Sequence, residues 1–201
     1  MTGSGAARAE LDGDGGHGGS ARFLLALTHG AGGSADAPDL LAARDAALGL
    51  GGLVARVTQP YRVRGARAPG SPVRQDAAWV EIVAALTALA PGIPLVQGGR
   101  SNGARVACRT AAAVGARAVI ALAFPLRPPG ATAQSRVAEL RAARAGGAAV
   151  LVVNGERDPF GIPARQDADL VVTVPGETHS LKGHRAVIIS AVTAWLPTVV
   201  R

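Results

Sequence analysis

The stretch VQGGRSNGARVAC, from Val96 to Cys108, decides the fold. At its centre Gly99-Arg100-Ser101-Asn102-Gly103 fits a G-x-S-x-G pattern. Apolar residues Ile93 to Val96 lead into it, and a helix-favouring run from Ala104 to Val114 leads out. A strand entering, a helix leaving and glycines beside a serine suit a tight, strained turn, because glycine lets the backbone bend without a Cβ clash. Eight serines and 27 glycines make the five letters alone a weak signal. Whether Ser101 is a nucleophile or only a turn residue is decided by the rest of the chain.

Outward from this turn the sequence alternates. Short apolar, β-branched runs fall at Arg22–Thr28, Leu53–Thr58, Ile93–Gln97, Ala118–Ala123, Ala149–Asn154 and Leu170–Val174. Uninterrupted apolar runs of this length suit strands buried on both faces of a parallel sheet. Helical segments lie between them at Asp39–Leu48, Arg74–Leu89, Asn102–Val114 and Val137–Ala143, and Arg185–Leu196 ends the series. The alternation predicts an α/β protein: three layers, doubly wound, with a mainly parallel sheet of about six strands and no lid domain. Residues 1–20, MTGSGAARAELDGDGGHGGS, read as a disordered tail with room for one short edge strand at Ala7–Leu11. Residues 21–201 then form a single domain, a size that buries a sizeable core. In the tail, Asp12, Asp14 and His17 lack the spacing and the glutamate of a calcium loop, so no metal is expected there.

Composition excludes several function classes. The formal charge of +7 comes from 20 arginines and the single Lys182, spread along the whole chain. With three Phe, one Tyr and two Trp, the aromatic platforms that bind single-stranded nucleic acid are missing, and no nucleic-acid partner is expected. Cys108 alone allows neither an internal disulfide nor a thiolate-rich metal site. No apolar run approaches the roughly 18 residues of a membrane span. Phe23–Leu27 is too short for a signal-peptide core and has no basic leader just before it, so a cytoplasmic protein is expected.

Ligands of doubly wound sheets bind at the carboxyl ends of the strands, and four of these strand ends carry suggestive residues. Ser101 follows Ile93–Gln97. The glycine-rich LTHGAGG, Leu27–Gly33, follows the first strong strand and leaves backbone N–H groups bare, as an oxyanion hole requires. Asp158 lies in VVNGERDPFG, four residues past a strand, and His179 lies in VTVPGETHSL, five residues past the last. A serine hydroxyl is a poor nucleophile unless an imidazole takes its proton, and a carboxylate fixes the imidazole tautomer. The order Ser, Asp, His is that of α/β-hydrolases rather than of the chymotrypsin or subtilisin arrangements. Glu156 competes with Asp158 for the acid and His184 with His179 for the base, whereas His29 suits ordering of its own loop. The donors for a developing oxyanion would be the N–H of Asn102 and, from the glycine-rich loop, that of Ala31.

With these motifs in view, the chain resembles compact α/β-hydrolases of the dienelactone-hydrolase-like kind. It is similar in particular to a branch of small hydrolases marked here by HGAGG, GGRSNGAR, AFPLRPPG, GERDPFG and HSL. That branch holds many bacterial hydrolases, an animal testis-expressed protein and a subunit of a histone-acetyltransferase complex. The similarity spans residues 22–198. It implies a serine hydrolase with Ser101, Asp158 and His179 as the triad, but it does not supply a substrate. The expectation of a small ester, thioester or lactone comes from the lack of room for a lid, and cleavage is expected through an acyl-enzyme on Ser101 without a cofactor. Some members of the branch act as scaffolds, so a non-catalytic protein-binding role and an acyltransferase on the same triad remain alternatives.

Three further residues are candidates for substrate binding: Arg100 inside the turn, Phe124 on the acyl side with Pro125 and Leu126, and Arg62. The last belongs to QPYRVRGARAPGSPVR, where Arg62, Arg64, Arg67 and Arg74 form either a positive lip for an anionic group or a solvated loop. The run from Ala123 to Ala149 must already hold a crossover helix, which leaves little chain for a lid and predicts an open site. The sequence is silent on oligomeric state.

Overall fold

The computed structural model describes residues 1–13, 21–128 and 134–200. Its seven strands are β1 (Arg8–Asp12), β2 (Leu24–Thr28), β3 (Leu53–Thr58), β4 (Leu95–Arg100), β5 (Ala118–Leu122), β6 (Ala149–Gly155) and β7 (Leu170–Val174). They form one sheet in the order β1-β3-β2-β4-β5-β6-β7, parallel except for β1, which runs antiparallel to β3. The helices are α1 (Pro38–Gly49), α2 (Pro60–Val63), α3 (Pro72–Leu89), α4 (Asn102–Thr110), α5 (Val137–Ala145) and α6 (Arg185–Val199).

Residue alternation along each strand explains the layers. Leu24 and Ala26 of β2 join a core with Trp79, Val83, Val106 and Leu140 from α3, α4 and α5. Leu25 and Leu27 face the other way, into a core with Leu40, Ala43, Ile188 and Val192 from α1 and α6. Both faces of the sheet are therefore dry, which is why the strand sequences show no polar alternation. Helix starts follow local chemistry: Pro38 and Pro72 occupy first turns whose N–H groups need no helical partner, and Ser71 accepts from the Arg74 N–H.

The sheet has seven strands, because the short edge strand that the sequence left room for at Ala7–Leu11 forms as β1, with Arg8 opposite Thr58 and Asp12 opposite Val54. Arg56 on β3 holds this strand by ion pairs to Glu10 and Asp12. The rest of the tail, with Asp14 and His17, lies outside the described residues. β4 also runs on to Arg100, through glycines that the sequence suggested would end it.

The order matters for position. From β2 the chain moves outward to β3, then returns to place β4 on the other side of β2. The carboxyl ends of β2 and β4, with Thr28 beside Gly99, therefore bound the crevice at the topological switch point. Among the described residues no helix is long and apolar enough to cross a membrane.

Candidate active site

Ser101 sits between β4 and α4 with φ 53° and ψ −115°, a conformation that costs a non-glycine residue about 1–3 kcal/mol. Its own N–H donates to Leu122 O at 2.9 Å, and its carbonyl accepts from Arg105 N at 3.2 Å, so β5 and α4 hold the turn from both sides. The flanking glycines are needed for close approach. A Cβ on Gly99 would stand 2.6 Å from Thr28 O and from the Gly103 carbonyl carbon, and one on Gly103 would stand 2.6 Å from Thr28 O. The serine itself takes the left-handed conformation, while its neighbours let strand and helix pack without side chains between them.

The structure brings Ser101, Asp158 and His179 together. His179 Nε2 lies 2.9 Å from Ser101 Oγ, and His179 Nδ1 lies 2.8 Å from Asp158 Oδ2. A carboxylate can only accept, so Nδ1 carries the proton and the Nε2 lone pair faces the hydroxyl. The Asp158 side chain is fully buried, while that of His179 is 19% exposed. Asp158 is oriented by the Phe160 N–H at 2.9 Å on Oδ1 and by Asn154 Nδ2 at 3.3 Å on Oδ2. The ring of Phe160 packs edge-on against His179 with centroids 4.5 Å apart.

The two rivals have other employment. Glu156 accepts from the Gly176 N–H at 2.8 Å, and His184 bonds Glu177 at 3.0 Å. Glu177 also accepts from the Gly183 N–H, and the bond from His184 holds its carboxyl below the usual value. These contacts brace the loop that presents His179.

Opposite Ser101 lies the loop after β2. A Cβ on Gly30 would stand 3.3 Å from Ser101 Cβ, a crowded contact that glycine avoids. His29 orders the loop: Nδ1 donates to Gly30 O at 2.8 Å and Nε2 accepts from the Gln59 N–H at 3.0 Å. This pattern needs a neutral ring, and burial lowers the His29 pKa accordingly. Tyr61 Oη donates to Ala31 O at 2.9 Å, fixing the peptide that follows Ala31. Among the described residues, neither the Ala31 N–H nor the Asn102 N–H donates to another protein group. The latter is one of the free N–H groups that begin α4.

The three substrate-binding candidates make contacts of their own within the protein. Arg100 is a strut: its Nε donates to the buried Asp39 at 2.8 Å and its Nη2 to His179 O at 2.7 Å. Phe124 is wholly buried in the core on the α3, α4 and α5 side, and Asn154 holds both its N–H and its carbonyl. Position 123 turns its chain inward at φ 46°, which aims Phe124 into the core. Arg62 donates to Ala66 O at 3.2 Å within its own loop. Sequence reasoning missed Asn154, Tyr61, Phe160 and Glu177, whose roles are visible only once distant loops meet. Cys108 is buried, and burial pushes its thiol well above the ordinary value. Among the described residues no group of three or more His, Cys, Asp or Glu side chains is arranged to hold a metal ion.

Comparison with known proteins agrees with this architecture. No curated protein matches in sequence. Among solved structures, the dienelactone hydrolase of Anabaena variabilis superposes with a TM-score of 0.75 at 17% identity, over 100% of this chain and 95% of the other. A serine hydrolase without a lid from Xanthomonas campestris gives 0.70 at 22% identity, over 98% and 92%. Est1E of Butyrivibrio proteoclasticus, solved with ferulic acid bound, gives 0.72 at 16% identity, over 96% and 95%. At these identities the likeness is one of fold. The family model described as "Alpha/beta hydrolase domain" matches residues 20–182, from before β2 through the His179 loop. This chain belongs to the alpha/beta hydrolase domain family.

Proposed function

We propose that this chain is a serine hydrolase that cleaves a small, dissolved ester, thioester or lactone in the cytoplasm through an acyl-enzyme on Ser101. One observation carries the reading: the unbroken hydrogen-bond chain from Asp158 through His179 to a serine in the left-handed conformation. In the first step Ser101 Oγ attacks the carbonyl carbon while its proton passes to His179 Nε2. Asp158 stabilises the resulting imidazolium, and the N–H groups of Ala31 and Asn102 receive the oxyanion. Collapse expels the alcohol, thiol or ring oxygen, which takes the proton from Nε2. Water then gives its proton to Nε2, attacks the acyl carbon, and Ser101 regains its hydrogen as the acid leaves. The scheme calls for no metal or organic cofactor.

The test is labelling with a fluorophosphonate, read by intact mass, on the native protein and on Ser101→Ala. One adduct on the native chain and none on the variant is the expected result. A folded native chain that takes no adduct overturns the reading and leaves the protein-binding scaffold. Substrate panels then begin with short acyl esters and thioesters, a lactone and a ferulic acid ester. Product analysis with added alcohols or amines separates hydrolysis from acyl transfer.

A further inference from the structure

We propose that a second site, formed by the N-terminal segment, α2 and the start of α3, binds a small organic anion through a carboxylate or phosphate group. A cavity of about 870 Å³ lies here, bounded in part by Gly3 and Ser4 on one side and by Ser71 and Arg74 on the other. Neither Ser101, Asp158 nor His179 lines it. Its volume is in the range of small-molecule sites, which run from about 300 to 1,000 Å³.

The lining is polar in a particular way. Gln59, Tyr61 and Gln75 form part of the wall and are at least nine-tenths buried. They are fixed by bonds to the interior: Gln75 Nε2 donates to Gln59 Oε1 at 2.8 Å, and Gln59 Nε2 donates to Thr28 Oγ1 at 3.1 Å. Arg64 and Arg74 also line the cavity. Arg64 gives one Nη1 bond to Ser4 O, and the rest of its fork is uncommitted among the described residues. No side-chain bond ties down Arg74 among those residues.

Charge makes the case. Arg56, Arg100, Arg105 and Arg109 are tied to carboxylates. Arg62, Arg64, Arg67 and Arg74 meet none within 4.0 Å among the described residues. The sequence accounts for this, since no Asp or Glu occurs from residue 46 to residue 75. Glu81, further along α3, directs its carboxylate to the Gly3 N–H at 2.7 Å. Arg64 and Arg74 both line the cavity and carry like charge, and α3 begins here with no acidic residue in its first turn. An anion relieves all of this at once, and guanidinium forks match the flat oxygens of carboxylate and phosphate. Tyr61 lines this cavity and holds Ala31 O, so an occupant would lie one residue from the loop beside Ser101.

Calorimetric titration of the full chain at physiological ionic strength tests the site, with phenyl phosphate, pyrophosphate and citrate as separate probes. Saturable one-site binding of at least one probe is expected, the phosphate and carboxylate arms telling which anion is preferred. Affinity should fall at least tenfold in the R64Q/R74Q double variant. Ala68→Glu, which adds a carboxylate at an exposed lining position, should cause a similar loss and guards against a folding defect. Ser101→Ala should bind as the native chain does, which separates this site from the proposed catalytic one. Absence of saturable binding by all three probes, or undiminished affinity in either folded variant, overturns the proposal.

Discussion

Arg100 Nη2 donates to the main-chain carbonyl of His179 across 2.7 Å, so the residue before Ser101 holds the loop that carries its hydrogen-bond partner. The same guanidinium meets Asp39, whose side chain is fully buried, across 2.8 Å. Burial raises the Asp39 pKa even with this cation beside it. Removing Arg100 alone would leave a buried acid unpartnered, which typically costs about 3–5 kcal/mol, whereas replacing both members by apolar residues is often neutral. Arg100→Met should therefore unfold at markedly lower urea than the native chain, and the Arg100→Met/Asp39→Leu pair should recover most of that loss. The pair should not recover ester turnover, because the strut to His179 is still missing. Denaturant melts and initial rates on the three proteins check both halves.

The conformation of Ser101 predicts a gain in stability on loss of function. At φ 53° a glycine meets no Cβ penalty, while serine does. Ser101→Gly should raise stability by about 1 kcal/mol, some 2–4 °C in Tm for a chain of this size, and should abolish fluorophosphonate labelling. Calorimetric melts of Ser101→Gly and Ser101→Ala beside the native chain give the comparison. The alanine variant keeps the Cβ and should lack the gain.

Much of this architecture was legible in the sequence, because a sheet dry on both faces writes each strand as an apolar run. β2, β3, β5, β6 and β7 lie where those runs do, give or take terminal residues. β4 was shortened because Gly98 and Gly99 read as turn residues. They are strand residues without side chains because a Cβ on Gly98 would stand 2.6 Å from Ile120 O, and one on Gly99 equally close to Thr28 O. Ser101, Asp158 and His179 could be singled out by their places after strands. The contacts of Arg100 and Phe124 could not be read from the sequence, since side-chain direction depends on partners far away along the chain. Asp39 and the His179 carbonyl capture Arg100, and Asn154 draws Phe124 inward.

Tyr61 offers a probe of the loop beside Ser101 that leaves the hydrogen-bonded trio untouched. Its hydroxyl donates to Ala31 O at 2.9 Å, and burial pushes its pKa up to about 12. It therefore remains a donor throughout the neutral and mildly alkaline range. Tyr61→Phe removes one hydrogen bond of about 1 kcal/mol, which corresponds to a roughly fivefold fall in rate if the loop holds the oxyanion. The fall should appear in kcat more than in KM and should be constant from pH 7 to pH 9. A loss confined to KM would instead place the loop in ground-state binding.

His29 gives the fold a dependence on pH whose sign follows from its environment. The ring must stay neutral, because protonation of Nε2 would set N–H against the Gln59 N–H that it now accepts. Burial lowers its pKa from 6.5, opposed by the bond to Gly30 and assisted by the nearby charge of Arg62. As pH falls below 6.5 the unfolded chain takes up this proton and the folded chain does not. Stability from this residue is thus complete above pH 6.5 and declines below it, until the folded ring is also protonated. Urea midpoints measured at intervals from pH 7.5 to pH 5 should fall on the acid side. In His29→Gln, which cannot titrate, that part of the decline should vanish while the midpoint at pH 7.5 is lower. An equal slope in both proteins would assign the acid sensitivity to groups other than His29; Glu177 is not among them in this range, since its depressed carboxyl loses its contribution only at lower pH.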